Sequence, residues 1–360
     1  MFEQLGFESL SPLLASALFG VLLGMVFGVA AQRSRFCLRR ALADANASER
    51  SDALAVWLAA LGIAIAGTQL SIYLGWIDFT GHRFHAAAVP VISIVLGGIL
   101  FGIGMILTRG CASRLTVLAG SGNLRALFVL LVFAVTAHAT LKGLLTPIRT
   151  SLSSFTIAAD SVLQITSSPF TTPIVAVAST AFVIALFIKR PGIRRHLFSG
   201  VVIGLLVVFG WVGTGLVLQD DFDPIAFQSL SFTSSSTEWL FWSIASTSIG
   251  AGFGVGLFSG VLLGSAVSSL IRSEFQWVSF ESPSQTGRYL TGAALMGVGG
   301  VLAGGCTVGA GLSGISSLSL SAMLALGSIA IGAITTNSLS GRKATYNQQG
   351  GGTSLNAITQ

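Results

Sequence analysis

The chain has 360 residues, 52% of them hydrophobic and 9% charged, with a net charge of +6. Soluble domains carry roughly 25% charged residues because a wet surface demands them, so a soluble globular protein is excluded and most of this surface must face lipid. The 44 glycines agree, since helices in a bilayer associate by close packing at small residues rather than by a hydrophobic drive.

Nine apolar stretches reach, or nearly reach, the length of a bilayer crossing. They lie near 10–31, 53–76, 89–107, 124–146, 173–188, 198–218, 239–264, 289–303 and 318–338. The eighth is short and glycine-rich, the mark of a broken or re-entrant element. Ahead of the first, Met1–Leu10 holds Glu3 and Glu8 but no Lys or Arg, so the positively charged start of a secretory signal is missing. After the last, residues 340–360 are polar and glycine-rich and are expected to form a disordered tail. Residues 1–339 are expected to make one all-α polytopic membrane domain.

The basic residues set the orientation. Arg33, Arg35, Arg39, Arg40 and Arg50 follow the first stretch, and Arg109 and Arg114 the third. Lys189, Arg190, Arg194 and Arg195 follow the fifth, and Arg342 and Lys343 the ninth. With nine crossings all four groups fall on one side, which the positive-inside rule makes cytoplasmic. The acidic segment 219–238, with Asp220, Asp221, Asp223 and Glu238, falls on the other, while Lys142 and Arg149 depart from the pattern. The expected N-terminus is then periplasmic and the C-terminus cytoplasmic. Trp57, Trp76, Trp239 and Trp242 lie near span ends, as interfacial aromatics do.

Two internal similarities bear on architecture. Phe19-Gly-Val-Leu-Leu-Gly24 resembles Ser199-Gly-Val-Val-Ile-Gly204, 180 residues on. Gly102, Gly104 and Gly110 before Cys111 match Gly297, Gly299 and Gly305 before Cys306, 195 residues on. Stretches one to four, about 10–146, then repeat as six to nine, about 198–338, with 173–188 as the link. A single crossing between two four-crossing halves turns the second upside down. Such a 4+1+4 inverted repeat is a plan that transporters use to hold a site near the bilayer midplane.

Three cysteines, an odd number, do not make a disulfide framework. Cys111 sits in Leu107–Arg114 at the inner end of the third stretch, and Cys306 in Ala303–Gly311 at the outer end of the eighth. If these glycine-rich segments fold back into the protein, the two thiols approach the midplane from opposite faces, with Cys37 nearer the cytoplasm. Irregular backbone at that depth is tolerated only when buried in protein or lining a cavity, and Gly110 and Gly305 allow the sharp turns it needs. Arginine beside a thiol favours thiolate and grips an oxyanion with a two-pronged fork. Arg109, Arg114, Arg33 and Arg35 are thus candidate anion contacts. The bland alternative is that free cysteines are small buried hydrophobes and that these arginines only orient the chain. Repeat-related placement in Gly-Cys contexts weighs against it.

Other features carry less. His82, His85, His138 and His196 lack metal-ligand spacing, and no Walker or dinucleotide fingerprint appears in a suitable setting, so no metal or cofactor is expected. Gly250–Gly256 reads as helix packing, and Thr335, Thr336 and Asn337 line a polar path or satisfy neighbouring backbone.

The segments Arg33–Leu42 with Cys37, Gly97–Arg114 with the Gly-Cys-Ala-Ser-Arg core, and Gly299–Gly314 with the Gly-Gly-Cys core resemble the YeeE/YedE family. That family comprises sulfur-transport membrane proteins, including bacterial thiosulfate uptake proteins. The resemblance extends from the first stretch through the ninth. It implies an hourglass-shaped inverted repeat in the bacterial inner membrane, with short helix–loop elements dipping in from both faces. It further implies thiosulfate moving past Cys37, Cys111 and Cys306 through transient S–H···S or S–H···O contacts. A small cytoplasmic sulfurtransferase of the persulfide-carrying type is often the family's partner, and some relatives are associated with selenium. Transport rather than catalysis is therefore expected. Two alternatives stay open: transfer of sulfane sulfur through a cysteine persulfide, and a general small-anion channel in which the cysteines only pack.

Overall fold

A computed structural model describes residues 11–44, 46–158, 171–220 and 224–350, with side chains up to Leu339. Thirteen α-helices are described. They are α1 (Pro12–Ser34), α2 (Leu38–Ala43), α3 (Ala47–Tyr73), α4 (Val91–Leu107), α5 (Ala112–Gly120), α6 (Leu124–Lys142) and α7 (Thr146–Ser153). They continue as α8 (Thr171–Lys189), α9 (Arg194–Val212), α10 (Phe232–Ala245), α11 (Phe253–Ile271), α12 (Pro283–Leu302) and α13 (Leu320–Gly350). The strands β1 (Ala88–Val89) and β2 (Ile157–Ala158) pair antiparallel. The protein is an all-α polytopic membrane protein.

Among the described residues, eight helical segments are long and apolar enough to cross a bilayer, three of them counted across α1–α2, across α4–α5 and across α9 with its flanking turns. α12 and the turn after it form a further, broken element. α12 starts beside α6, where the Leu124 N–H donates to the Val278 carbonyl at 2.9 Å. The chain emerges after Cys306 at the opposite face, where the Ser319 hydroxyl donates to the Phe84 carbonyl at 2.7 Å. Between them lies a π-helical turn, Gly309–Gly314.

One expected span is corrected. The apolar stretch 239–264 is divided between α10 and α11. Between them lies Ser246-Thr-Ser-Ile-Gly-Ala-Gly252, made largely of Ser, Thr and Gly, which are weak in helix interiors. α11 crosses alone, and α10 doubles back within the protein. Trp57 is also not interfacial: it is 4% exposed and packs in the core, whereas Trp76 is 49% exposed. The backbone stays helical through Gly350, while 351–360, Met1–Leu10, Asp221 and Asp223 lie outside the described residues.

The tightest seam joins α1 to α11. Gly20, Gly24 and Gly28 face the backbone of Phe253, Leu257 and Val261, and Gly256, Gly260 and Gly264 face the carbonyls of Ala17, Val21 and Met25. A Cβ at any of these would collide with backbone, so the seam demands glycine in register on both helices. The packing pairs are symmetric under exchange of the chain's halves. α1–α11 matches α9–α3, α4–α13 matches α12–α6, and α4–α12 and α1–α9 map onto themselves.

Candidate functional site

The three cysteines share one backbone device. α1 ends as Arg35 turns left-handed (φ 51°), α4 as Arg109 does so (φ 58°), and α12 as Gly304 does so (φ 74°). Each is two residues before a cysteine. The Phe36 and Gly110 amides close the first two turns onto Ala31 and Met105 at 3.1 Å each. A left-handed non-glycine residue costs about 1–2 kcal/mol, so Arg35 and Arg109 are held there by their surroundings. The chain then straightens and the cysteine opens the next helix: Cys37 caps α2 and Cys111 caps α5. Cys306 receives the Ala310 amide on its carbonyl at 2.9 Å and the Gly309 amide on its sulfur at 3.4 Å.

The device brings the thiols inward. Cys37, Cys111 and Cys306 are 3%, 1% and 0% exposed, and all three are free. The Cys37 and Cys111 sulfurs lie 3.9 Å apart. The Cys111 sulfur also lies 3.3 Å from the Ser113 hydroxyl. Thr307, next to Cys306, brings its side chain beside Cys111. The two loops therefore meet inside the molecule, and Cys306 lies between the end of α12 and the turn Gly309–Gly314. Gly305 has a steric reason: a Cβ there would lie 2.8 Å from the Ala310 amide nitrogen. Gly110 is less constrained, with Leu115 at 3.3 Å, and its carbonyl accepts from Thr108 at 3.0 Å.

From one face a cavity of about 560 Å³ reaches Cys37. Seven arginines line it: Arg33, Arg35, Arg39, Arg40, Arg109, Arg114 and Arg272. Arg40 is tied to Asp44 and Glu49 at 3.3 and 2.9 Å, and Arg272 to Glu274 at 2.8 Å. Among the described residues the other five form no ion pair. Buried donors on Arg114 (Nη1) and Arg39 (Nε) have no partner. Such groups are costly unless something negative or polar meets them.

The opposite face holds a vestibule of about 290 Å³ beside Arg83, His82, Trp211 and Ser231. It adjoins a smaller cavity of about 70 Å³ whose wall includes Gly304 and Gly305, the residues before Cys306. Burial holds the His82 imidazole down to about 4, and His85 is lowered for the same reason, so both are neutral at physiological pH. The candidates Cys37, Arg33, Arg35, Arg109 and Arg114 thus gather on the arginine side, with Cys111 behind them. Cys306 backs the opposite cavity. Thr335 and Thr336 donate to carbonyls of their own helix and so satisfy backbone.

Sequence reasoning missed Arg83, Arg272 and the hydroxyls at the start of α10. A signal existed for two of them. Arg83 is one of few basic residues on the face opposite the arginine groups, and Ser229-Leu-Ser-Phe-Thr-Ser-Ser-Ser-Thr237 is a hydroxyl run in an apolar chain.

The model of a family described as sulphur transport matches residues 33–335, a range that includes all three cysteines. The chain is 25% identical over 284 residues to the thiosulfate transporter TsuA of Escherichia coli (strain K12), covering 72% of this chain and 76% of that protein. It is 27% identical over 124 residues to the thiosulfate transporter TsuA of Spirochaeta thermophila, 34% of this chain and 36% of the relative. With the family model covering most of its length, this chain belongs to the sulphur transport family.

Proposed function

We propose that the chain carries thiosulfate across a bacterial inner membrane, from the face bearing Cys306 to the arginine-rich cytoplasmic face. The observation that carries this reading is the set of three buried free thiols between two cavities, one of them lined by five arginines that form no ion pair among the described residues. The symmetric helix pairs support an inverted repeat of two oppositely oriented halves, with the periplasmic N-terminus and cytoplasmic C-terminus that the positive-inside rule favours.

The chemistry suits the cargo. A hydrated dianion is costly to dehydrate unless donors meet it. A thiol is a weak donor, so a series of them holds the ion without trapping it, the compromise that conduction needs. The ion passes from Cys306 to Cys111, with Thr307 bridging, and then to the Cys37–Cys111 pair. Arg109 and Arg114 draw it out into the basin. A soluble sulfurtransferase that consumes thiosulfate on the cytoplasmic side would keep the gradient inward.

The test is growth on thiosulfate of cells lacking sulfate uptake and expressing wild type or Cys37→Ala, Cys111→Ala or Cys306→Ala. Growth is expected to need wild type and to fail in each variant at normal membrane levels. Growth of all three variants would remove the thiols from the path. The close Cys37–Cys111 pair leaves one rival, a persulfide relay, which would leave one extra sulfur on a cysteine in the intact-protein mass after exposure to thiosulfate.

A further inference from the structure

We propose that the groove between the arginine-side ends of α1, α9 and α11 is a built site for one anionic phospholipid. Its phosphate sits among Arg33, Arg194 and Arg195, and its acyl chains run down the exposed flank of α8. The site stands on its own geometry, and its test does not depend on transport.

The groove has a volume of about 650 Å³. Arg33 enters it from the last turn of α1, Arg272 from the end of α11, and Arg194, Arg195 and His196 from the first turn of α9. Among the described residues no acidic side chain lines it. Arg272 is held by Glu274 at 2.8 Å, but Arg33, Arg194 and Arg195 form no ion pair among the described residues. Arg194 donates from Nε to the Phe187 carbonyl at 3.4 Å, which ties α9 to the end of α8 and leaves its two terminal nitrogens for another acceptor.

The start of α9 is the independent observation. A helix N-terminus carries a partial positive charge and is stabilised by acidic residues, not basic ones. α9 opens with Arg194-Arg195-His196, has no acidic residue in its first turn and has no side-chain cap. Two guanidiniums at a positive helix end repel it, and an anion placed there removes the conflict. Such an anion meets the helix N-terminus and guanidinium forks, which suit the oxygens of a phosphate.

The surroundings make that phosphate a lipid's. Phe198 lines the groove, Ile188 and Ile271 each adjoin a residue that does, and all three are exposed. α8 is the least enclosed of the eight spans. Its exposed Ile174, Val177, Ile184 and Ile188 fall on one helical stripe, which ends beside Phe187 of the groove. Acyl chains cover such a stripe and a free phosphate does not. Basic pockets between helices on the cytoplasmic side hold anionic headgroups in this way. Arg33 and Arg272 also line the arginine basin, so the lipid phosphate stands at the basin's outer wall.

The test measures binding to the purified full-length protein by native mass spectrometry and by the rise in melting temperature in detergent. The probes are dioleoylphosphatidylglycerol, dioleoylphosphatidylcholine and sodium phosphate. Wild type is expected to retain one phosphatidylglycerol and to be stabilised by it, and by neither of the other two. Arg194→Gln combined with Arg195→Gln is expected to weaken the affinity by about ten- to a hundredfold, and Arg33→Gln by about fivefold. Arg50→Gln, at an exposed arginine outside the groove, should change it by less than about twofold. An equal loss in Arg50→Gln means diffuse attraction to a basic surface and overturns the site. Equal stabilisation by phosphatidylcholine or by sodium phosphate overturns it as well. If the double variant fails to fold, Arg33→Gln decides, and an unchanged affinity there overturns the site.

Discussion

The two ends of the thiol path are built on opposite principles. The arginine-rich basin is wide, about 560 Å³, and attracts by charge, with five of its seven arginines free of ion pairs among the described residues. The opposite vestibule is narrower and holds a single arginine among hydroxyls and aromatic rings. A broad field concentrates any anion without telling one from another. A single fork framed by hydroxyls reads shape instead. In the proposed direction of transport, the difference sets a narrow, shape-limited cavity at the side of entry against a broad attractive field at the side of exit.

The sharpest way to break this comparison is to remove charge from the deep wall of the basin. Arg114→Gln is expected to lower maximal uptake by about tenfold while leaving KM within about twofold, because Arg114 meets the ion late. A raised KM with an unchanged maximal rate in reconstituted liposomes would make the basin the side of capture and reverse the assignment. Arg33→Gln, at the rim, should cost only about twofold, as exposed charges do.

A smaller effect separates the two faces by salt. The screening length falls from about 10 Å at 0.1 M to about 3 Å at 1 M. Raising the salt inside liposomes, on the basin side, is expected to slow release by about twofold to fivefold, and the same salt outside should act less. Equal sensitivity on both sides would contradict the contrast between field and fork.

The smallest effect concerns acid. His82 is held to about 4 by burial against an ordinary value of 6.5. Below pH 6.5 the unfolded chain gains a proton that the folded chain refuses, so stability is lost as pH falls from 6.5 to 4 and levels off beneath. After allowance for partial exposure the loss is about 1–2 kcal/mol. His82 also accepts the Phe84 amide on Nδ1 at 3.3 Å, a role asparagine can fill. His82→Asn should therefore flatten the fall in melting temperature between pH 7 and 4.5. An unchanged pH profile would remove His82 from the explanation.

Much of this was legible in the sequence because it is written in local signals. Apolar runs and arginine placement gave the crossings and their common face, and the Gly-Cys segments gave the thiols. The seventh span was misplaced because hydropathy alone does not distinguish a crossing helix from α10, which doubles back, followed by Ser246–Gly252. The turn Gly309–Gly314 after Cys306 is too glycine-rich to read as helix from the sequence. Arg83 escaped for a different reason. Ser231 and Thr233, which line the same small cavity, are about 150 residues away, and only the tertiary packing brings them to one wall.

The glycine seam between α1 and α11 bears on how the molecule moves. In the proposed repeat these helices belong to different halves, and their backbones interlock so closely that neither can roll or slide without driving a carbonyl into the other's chain. Rocking of one half against the other, the usual motion of inverted-repeat carriers, is thus obstructed at this hinge line. Turnover is left to local rearrangement of the cysteine loops and side chains, a gate with fixed posts. Spin labels at the arginine-side ends of α1 and α11 should report one distance, with or without thiosulfate, and a shift of several ångströms would show that the posts themselves swing.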